Sequence, residues 1–163
     1  TQQASLYTDD GSQNFRFGGK GILLSPLRGG SFWVAVSGSL GRNISDNNSF
    51  QGYAFGEIIG TWQLNSKLAF SMNPKVAWSG AGNLYGLGLG ANIAMGQKLE
   101  LLPEIIIAGD NLSKTTSTVG LRYHFNNSIA TTIYASTAAS LNNIGQLLGK
   151  GDTAVGTMIT IKM

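Results

Sequence analysis

Nine stretches of this chain alternate apolar and polar residues with a period of two, and a tenth, shorter and more polar, extends the series. They cover roughly residues 2–8, 14–24, 31–41, 50–64, 67–78, 84–96, 98–108, 115–125, 128–138 and 152–163. A period of two sends successive side chains to opposite faces of a strand. Most stretches run for 9–13 residues, against about 5–6 for a usual strand. In KLAFSMNPKVAW (67–78), Leu68, Phe70, Met72, Val76 and Trp78 share one parity with Pro74, and Lys67, Ser71, Asn73 and Lys75 hold the other. The pattern predicts an all-β fold of long antiparallel strands with one apolar and one polar face. Ten strands fit best, and the short first stretch leaves eight as an alternative.

The connecting text alternates in kind. Asn65-Ser66, Gln97, Asn126-Asn127 and SPLRGG (25–30) predict tight turns at one end of the sheet. TDDGSQ, GRNISDNNS, SGAGN, GDNLSK and the segment 139–151 predict longer loops at the other end. Within the last of these, Leu141, Ile144, Leu147 and Leu148 are spaced for one face of a short helix. Two readings stand, an irregular loop with a helical turn or a small helix that caps one end. Nothing marks a second domain, so residues 1–163 read as one unit.

Sheets this long need an explanation for their apolar face. It carries no charge within any strand. The polar face carries Arg16, Lys20, Glu57, Lys75, Glu100, Glu104, Arg122, His124 and Lys162 among mostly Gly, Ala, Ser, Thr and Asn. In a soluble barrel the apolar face points inward; in a membrane barrel it meets lipid. Three features favour lipid. The polar face is the small-residue face, as in Gly86, Gly88 and Gly90, which suits a crowded interior better than a solvated surface. Aromatics of the apolar face gather near strand ends: Phe32, Trp62, Tyr123 and Phe125 at the short-turn end, and Phe15, Phe50, Trp78 and Tyr85 at the other. Two such girdles suit two membrane–water interfaces, with Phe70 an exception at moderate depth. All five Asp fall in or beside the longer loops and all three Glu on the polar face. Strands of about 9–11 residues cross a bilayer, and in lipid the sheet must close so that every backbone group pairs. The expectation is a closed antiparallel up-and-down transmembrane β-barrel, most readily of ten strands. Pro74 and Pro103 fall mid-strand on the apolar parity; each removes a ladder donor, and bulges are expected there.

Composition narrows the function. Charged residues make up 12% of the chain, about half the usual share. The net charge of +3 is scattered, without a basic run that would contact nucleic acid. There is no cysteine and no apolar run long enough for a transmembrane helix. The start TQQASLYT reads as a mature N-terminus left by cleavage of a leader.

GLRYHF (120–125), before a tight Asn-Asn turn, resembles the GLRY-type strand of small porin-like and OmpA-type barrels. GTWQLNSKLAFSMNPKVAW (60–78) is similar to hairpins of cyanobacterial outer-membrane barrels. The resemblance spans the chain as a pattern, although its motifs are short. It departs at the last residue, Met163, where the family usually carries an aromatic. It implies an integral protein of a bacterial outer membrane. Both termini would then be periplasmic, lipid would be the surrounding partner, and lipopolysaccharide would lie at the long-loop end. The protein partner stays open.

Candidate chemistry is sparse. The polar-face charges form either a structural network across the interior or a net-positive lining that passes small solutes. His124 is the only histidine, and without Cys or a second His it reads as an interior hydrogen-bonding residue, with neither metal nor triad expected. Asp9, Asp10, Asp46, Asp110 and Asp152 read as solubilised loop tips, with divalent cations as the rival use. GLGLGAN (86–92) lies inside a strand and so is not a nucleotide loop. The leading expectation is a non-enzymatic outer-membrane barrel without cofactor, open as a narrow channel. The rivals are a closed-lumen anchor or contact protein, a soluble lipocalin-like ligand-binding barrel and, last, a membrane enzyme.

Overall fold

The computed structural model describes residues 2–9, 12–26, 30–43, 52–80, 82–139 and 143–161, with side chains from residue 17 onward except at 43, 143, 150 and 151. Ten strands follow one another along the chain: β1 (Gln2–Asp9), β2 (Ser12–Leu24), β3 (Phe32–Asn43), β4 (Tyr53–Asn65), β5 (Leu68–Ser79), β6 (Gly82–Ala94), β7 (Leu99–Ala108), β8 (Thr116–His124), β9 (Ile129–Ala138) and β10 (Gly149–Ile161). They form one sheet in sequence order, and each adjacent pair is antiparallel. Among the described residues the only helix is a 3-10 helix, Asn143–Leu147. No helix among them is long and apolar enough to cross a membrane.

The two faces follow the sequence parity. On the apolar parity Phe17, Leu40, Ile58, Trp62, Met72, Tyr85, Ile107, Val119, Ile133 and Ile159 are all exposed. On the other parity Ala35, Phe55, Lys75, Ala77, Thr116, Thr132 and Ser136 are buried. Charges inside and large apolar side chains outside invert the usual globular arrangement.

The sheet is curved around the short helix. Strands lie about 4.8 Å apart, so β4 and β8 would be about 19 Å apart in a flat sheet. A five-residue 3-10 helix rises only about 2 Å per residue. Yet the helix packs on β4, β5, β6 and β7, while Thr116 of β8 donates to the carbonyl of Gln146 over 2.9 Å. The polar face is therefore the concave one.

Turn chemistry fixes the register. Asn65 Oδ1 accepts from the Lys67 amide at 2.8 Å, closing the β4–β5 turn. Asn126 Oδ1 accepts from the amides of Ser128 and Ile129, each at 2.8 Å, in the β8–β9 turn. Gly96 has a φ of +96° in the β6–β7 turn, which side chains disfavour. At the other end the expected contrast in loop length holds only in part. Ser79 pairs with Gly82 and Asp9 with Ser12, so SGAGN and TDDGSQ enclose two-residue connections rather than long loops. Gly at positive φ (Gly82, +134°) and the Ser79 hydroxyl bonded to the Gly82 carbonyl make the first of these tight. Gly- and Asp-rich text serves tight turns and loops alike.

The prolines do not mark bulges. The register shifts fall at Ile22/Leu24, Gln63/Asn65 and Gly149/Ala154. Pro74 stays paired with Leu87 of β6, and Pro103 with Val119 of β8. On the opposite side the ladder skips from Glu57↔Lys75 to Gly60↔Met72, and from Gly90↔Glu104 to Ile93↔Leu101, without a change of register. An antiparallel residue directs its N–H to one neighbour only, so a proline interrupts one ladder and leaves the other intact.

Candidate functional site

The concave face is layered from the loop end to the turn end. The first layer is apolar. Phe55, Ala77, Leu84, Ile106 and Leu147 form a buried cluster, with Tyr53 and Ile144 packed against it. Leu147 has no solvent exposure. A Cβ on Gly86 would collide with the Leu147 side chain, so β6 provides the seat for it. The helix is held at its end by Lys114 N to Leu147 O (2.9 Å) and Ala139 N to Leu148 O (2.7 Å). Segment 139–151 thus supplies the small capping helix as a 3-10 turn, with Ile144 and Leu147 facing inward. Leu148 is exposed, and Leu141 lies outside the described residues.

The second layer is ionic. Lys75, 2% exposed at its side chain, places Nζ 3.1 Å from Glu57 Oε2 and 3.4 Å from Glu104 Oε1. Its third partner is Gln146 Oε1 on the short helix. Glu57 and Lys75 are direct cross-strand partners. Glu104 lies two strands away from Lys75, across β6. Gly88 makes that contact possible, because a Cβ there would lie 2.8 Å from Lys75 Cε and 3.2 Å from Glu104 Oε1. The GLGLG run is therefore a bed: Gly86 under Leu147, Gly88 under the Lys75–Glu104 pair, and Gly90 under the Ser71 hydroxyl, which a Cβ at Gly90 would approach to 2.9 Å. Lys20 lies in the same row, opposite Ser37, which faces Glu57.

The third layer lies nearer the turn end. Arg122 Nη1 is 3.4 Å from Glu100 Oε2, and its Nε donates to Thr132 Oγ1 at 3.2 Å. His124 Nε2 lies 3.3 Å from Glu100 Oε1 but without hydrogen-bond geometry, and that nitrogen is buried without a hydrogen-bond partner. Between the second and third layers is a polar cavity of ≈ 210 Å³ lined by Ser71, Asn73, Asn92, Leu102, Glu104 and Arg122. A smaller one of ≈ 100 Å³ continues from Arg122 past His124 to the β8–β9 turn.

Of the expected interior charges, Glu57, Lys75, Glu100, Glu104, Arg122 and His124 meet in these two clusters. Arg16 and Lys162 lie outside the described side chains. Counting Lys20, the described charges balance, with Lys20, Lys75 and Arg122 against Glu57, Glu100 and Glu104. Phe55, Leu84, Ile106, Asn73, Thr132 and Gln146 were not among the expected residues. Their signal was available: Phe55, Leu84 and Ile106 are large apolar residues on the polar parity near one end of three strands.

The convex face carries the aromatic rows. Phe32, Trp62, Trp78, Tyr85, Tyr123 and Phe125 are all exposed. Phe32 and Trp62 meet edge to face at 6.1 Å, as do Tyr123 and Phe125 at 5.1 Å. The register pairs Phe70 with Trp62, which pairs with Phe32, so the three lie in one cross-strand row. The Phe15 side chain and Phe50 lie outside the described residues.

Among the described residues no three His, Cys, Asp or Glu side chains converge. Asp110 is committed to its own turn. Its carboxylate accepts from the Ser113 hydroxyl (2.7 Å) and from the amides of Tyr85 (2.6 Å), Leu112 (2.7 Å) and Ser113 (2.7 Å). The Ser113 hydroxyl is the main cause of a pKa lowered from 3.8 to about 2, and the backbone donors of Ser113, Tyr85 and Leu112 add to it against an opposing desolvation. Asp10 and Asp46 lie outside the described residues, and Asp152 is exposed. No protein-family model matches the chain, and the search of curated proteins likewise returns no match.

Proposed function

We propose that the chain is an integral membrane β-barrel of the bacterial outer-membrane kind, closed at ten strands. Its lumen is sealed at the loop end, so that it serves as a membrane-embedded scaffold rather than an open channel. The observation that carries the membrane reading is the placement of its apolar side chains. Among the described residues twenty-nine large hydrophobic side chains are exposed, and only eight hydrophobic residues are buried. A soluble monomer rarely exposes an apolar patch beyond about 300–600 Å², whereas this face spans every strand from β2 to β10. Closure follows from the same medium, because open strand edges in hydrocarbon would leave backbone groups unpaired. The resemblance of GLRYHF and of residues 60–78 to outer-membrane strands agrees. The seal supports the closed lumen over the open channel: an apolar layer of Phe55, Leu84, Ile106 and Leu147 stands directly above the ionic one.

Reconstitution tests both parts. The protein should stay with lipid vesicles through high-salt and alkaline washes, and it should remain electrically silent in a planar bilayer. Release by alkaline washing would overturn the integral reading. Steady single-channel steps from the unmodified protein would overturn the sealed lumen and restore the channel.

A further inference from the structure

The cavity between the two ionic layers is lined by side chains of opposite charge. Its lining offers Glu104 on one side and Arg122 on the other, each roughly a third exposed at the side chain (33% and 28%). Neither charge is fully used. Glu104 meets Lys75 only at 3.4 Å and Arg122 meets Glu100 only at 3.4 Å, whereas charge-assisted bonds in good geometry are about 2.7–2.9 Å long. Asn73, nine-tenths buried, lines the same cavity with an Oδ1 that has no hydrogen-bond partner. A buried acceptor without a donor is costly. The space would hold roughly seven waters or one small organic molecule. We propose that it binds a small zwitterion of the amino-acid class. The ammonium donates to Glu104 and, once the Asn73 amide turns into the space, to its Oδ1, and the carboxylate accepts from the Arg122 guanidinium. Opposite charges in the lining disfavour a simple anion or a simple cation, each of which would meet one like charge. The ≈ 100 Å³ space beyond Arg122 would be the approach from the turn end.

The proposal concerns the concave face and does not depend on what covers the convex one. The test is a titration of the isotope-labelled full chain in detergent micelles by nuclear magnetic resonance, with glycine as probe. Acetate and methylammonium serve as single-charge controls, and the reporters are the Asn73 side-chain amide and Arg122 Nε–H. Glycine should shift both saturably, and each control should bind at least about tenfold more weakly, the equivalent of losing one charge-assisted bond. Asn73→Ala should weaken glycine by a similar factor. Leu102→Phe, which takes up the space without touching a charge, should abolish binding while leaving distant signals in place. Absence of a saturable glycine shift would overturn the proposal and leave the cavity to water. So would acetate or methylammonium binding as tightly as glycine, or glycine binding that neither variant weakens.

Discussion

Replacing Lys75 with methionine tests the interior most severely. Lys75 is held between Glu57 at 3.1 Å and Glu104 at 3.4 Å, with its side chain 2% exposed. At an effective dielectric constant of about 20 the nearer pair is worth about 5 kcal/mol of gross attraction. Desolvating the ammonium costs several kcal/mol, so the intact pair contributes little net stability. Removing one partner is a different quantity. The methionine side chain would fill the volume but leave Glu57, 12% exposed, without a counter-charge. The expected loss is about 3–5 kcal/mol. Glu104 is a third exposed to the cavity and adds little through screening. Urea unfolding in lipid vesicles, followed by tryptophan fluorescence, would read the loss as a lower midpoint. The triple variant K75M/E57Q/E104Q removes every charge of the cluster and should recover most of it. A K75M protein within about 0.5 kcal/mol of its parent, the range of ordinary surface substitutions, would refute the buried cluster.

Three further expectations follow from the same geometry. Leu147→Ala should cost about 2–4 kcal/mol as a buried truncation, and in a planar bilayer it should produce conductance where the parent is silent. Gly86→Ala should destabilise by pressing on Leu147, and the double variant G86A/L147A should be more stable than the sum of the two predicts. Asp110 has a folded pKa of about 2, below its ordinary 3.8, so its stabilisation of the 109–115 turn is present above about pH 4 and disappears as pH falls through about 2. Hydrogen exchange at the Tyr85 and Ser113 amides should accelerate across that window in the parent and show no such step in Asp110→Asn.

Parity carried most of the fold. Of the residues placed on the apolar side by alternation, from Phe17 to Ile161, most are exposed and the others, such as Val34, Leu87 and Leu101, are half-buried, while Glu57, Lys75, Glu104 and Arg122 lie on the concave side. A strand period is a local property, so sequence shows it directly. What alternation could not show was three-dimensional. The pairing of Lys75 with Glu104 requires knowing that β6 runs between them and that Gly88 leaves the gap. Phe70 looked mid-depth along its own strand and joins Trp62 only through register. The short connections between the paired residues Ser79 and Gly82, and Asp9 and Ser12, share their residue types with true loops. The prolines keep register because each strand has two sides, and a one-dimensional reading sees neither.

The most direct test of the membrane reading is quenching by brominated lipids, on variants that each retain one tryptophan. Trp62 and Trp78, on the convex face and 60% and 49% exposed, should be quenched at shallow depths near opposite interfaces. Trp33, on the concave parity, should be quenched far less. Folded protein in plain buffer with none of the three tryptophans quenched would contradict the account, and the apolar face would then need a covering other than lipid.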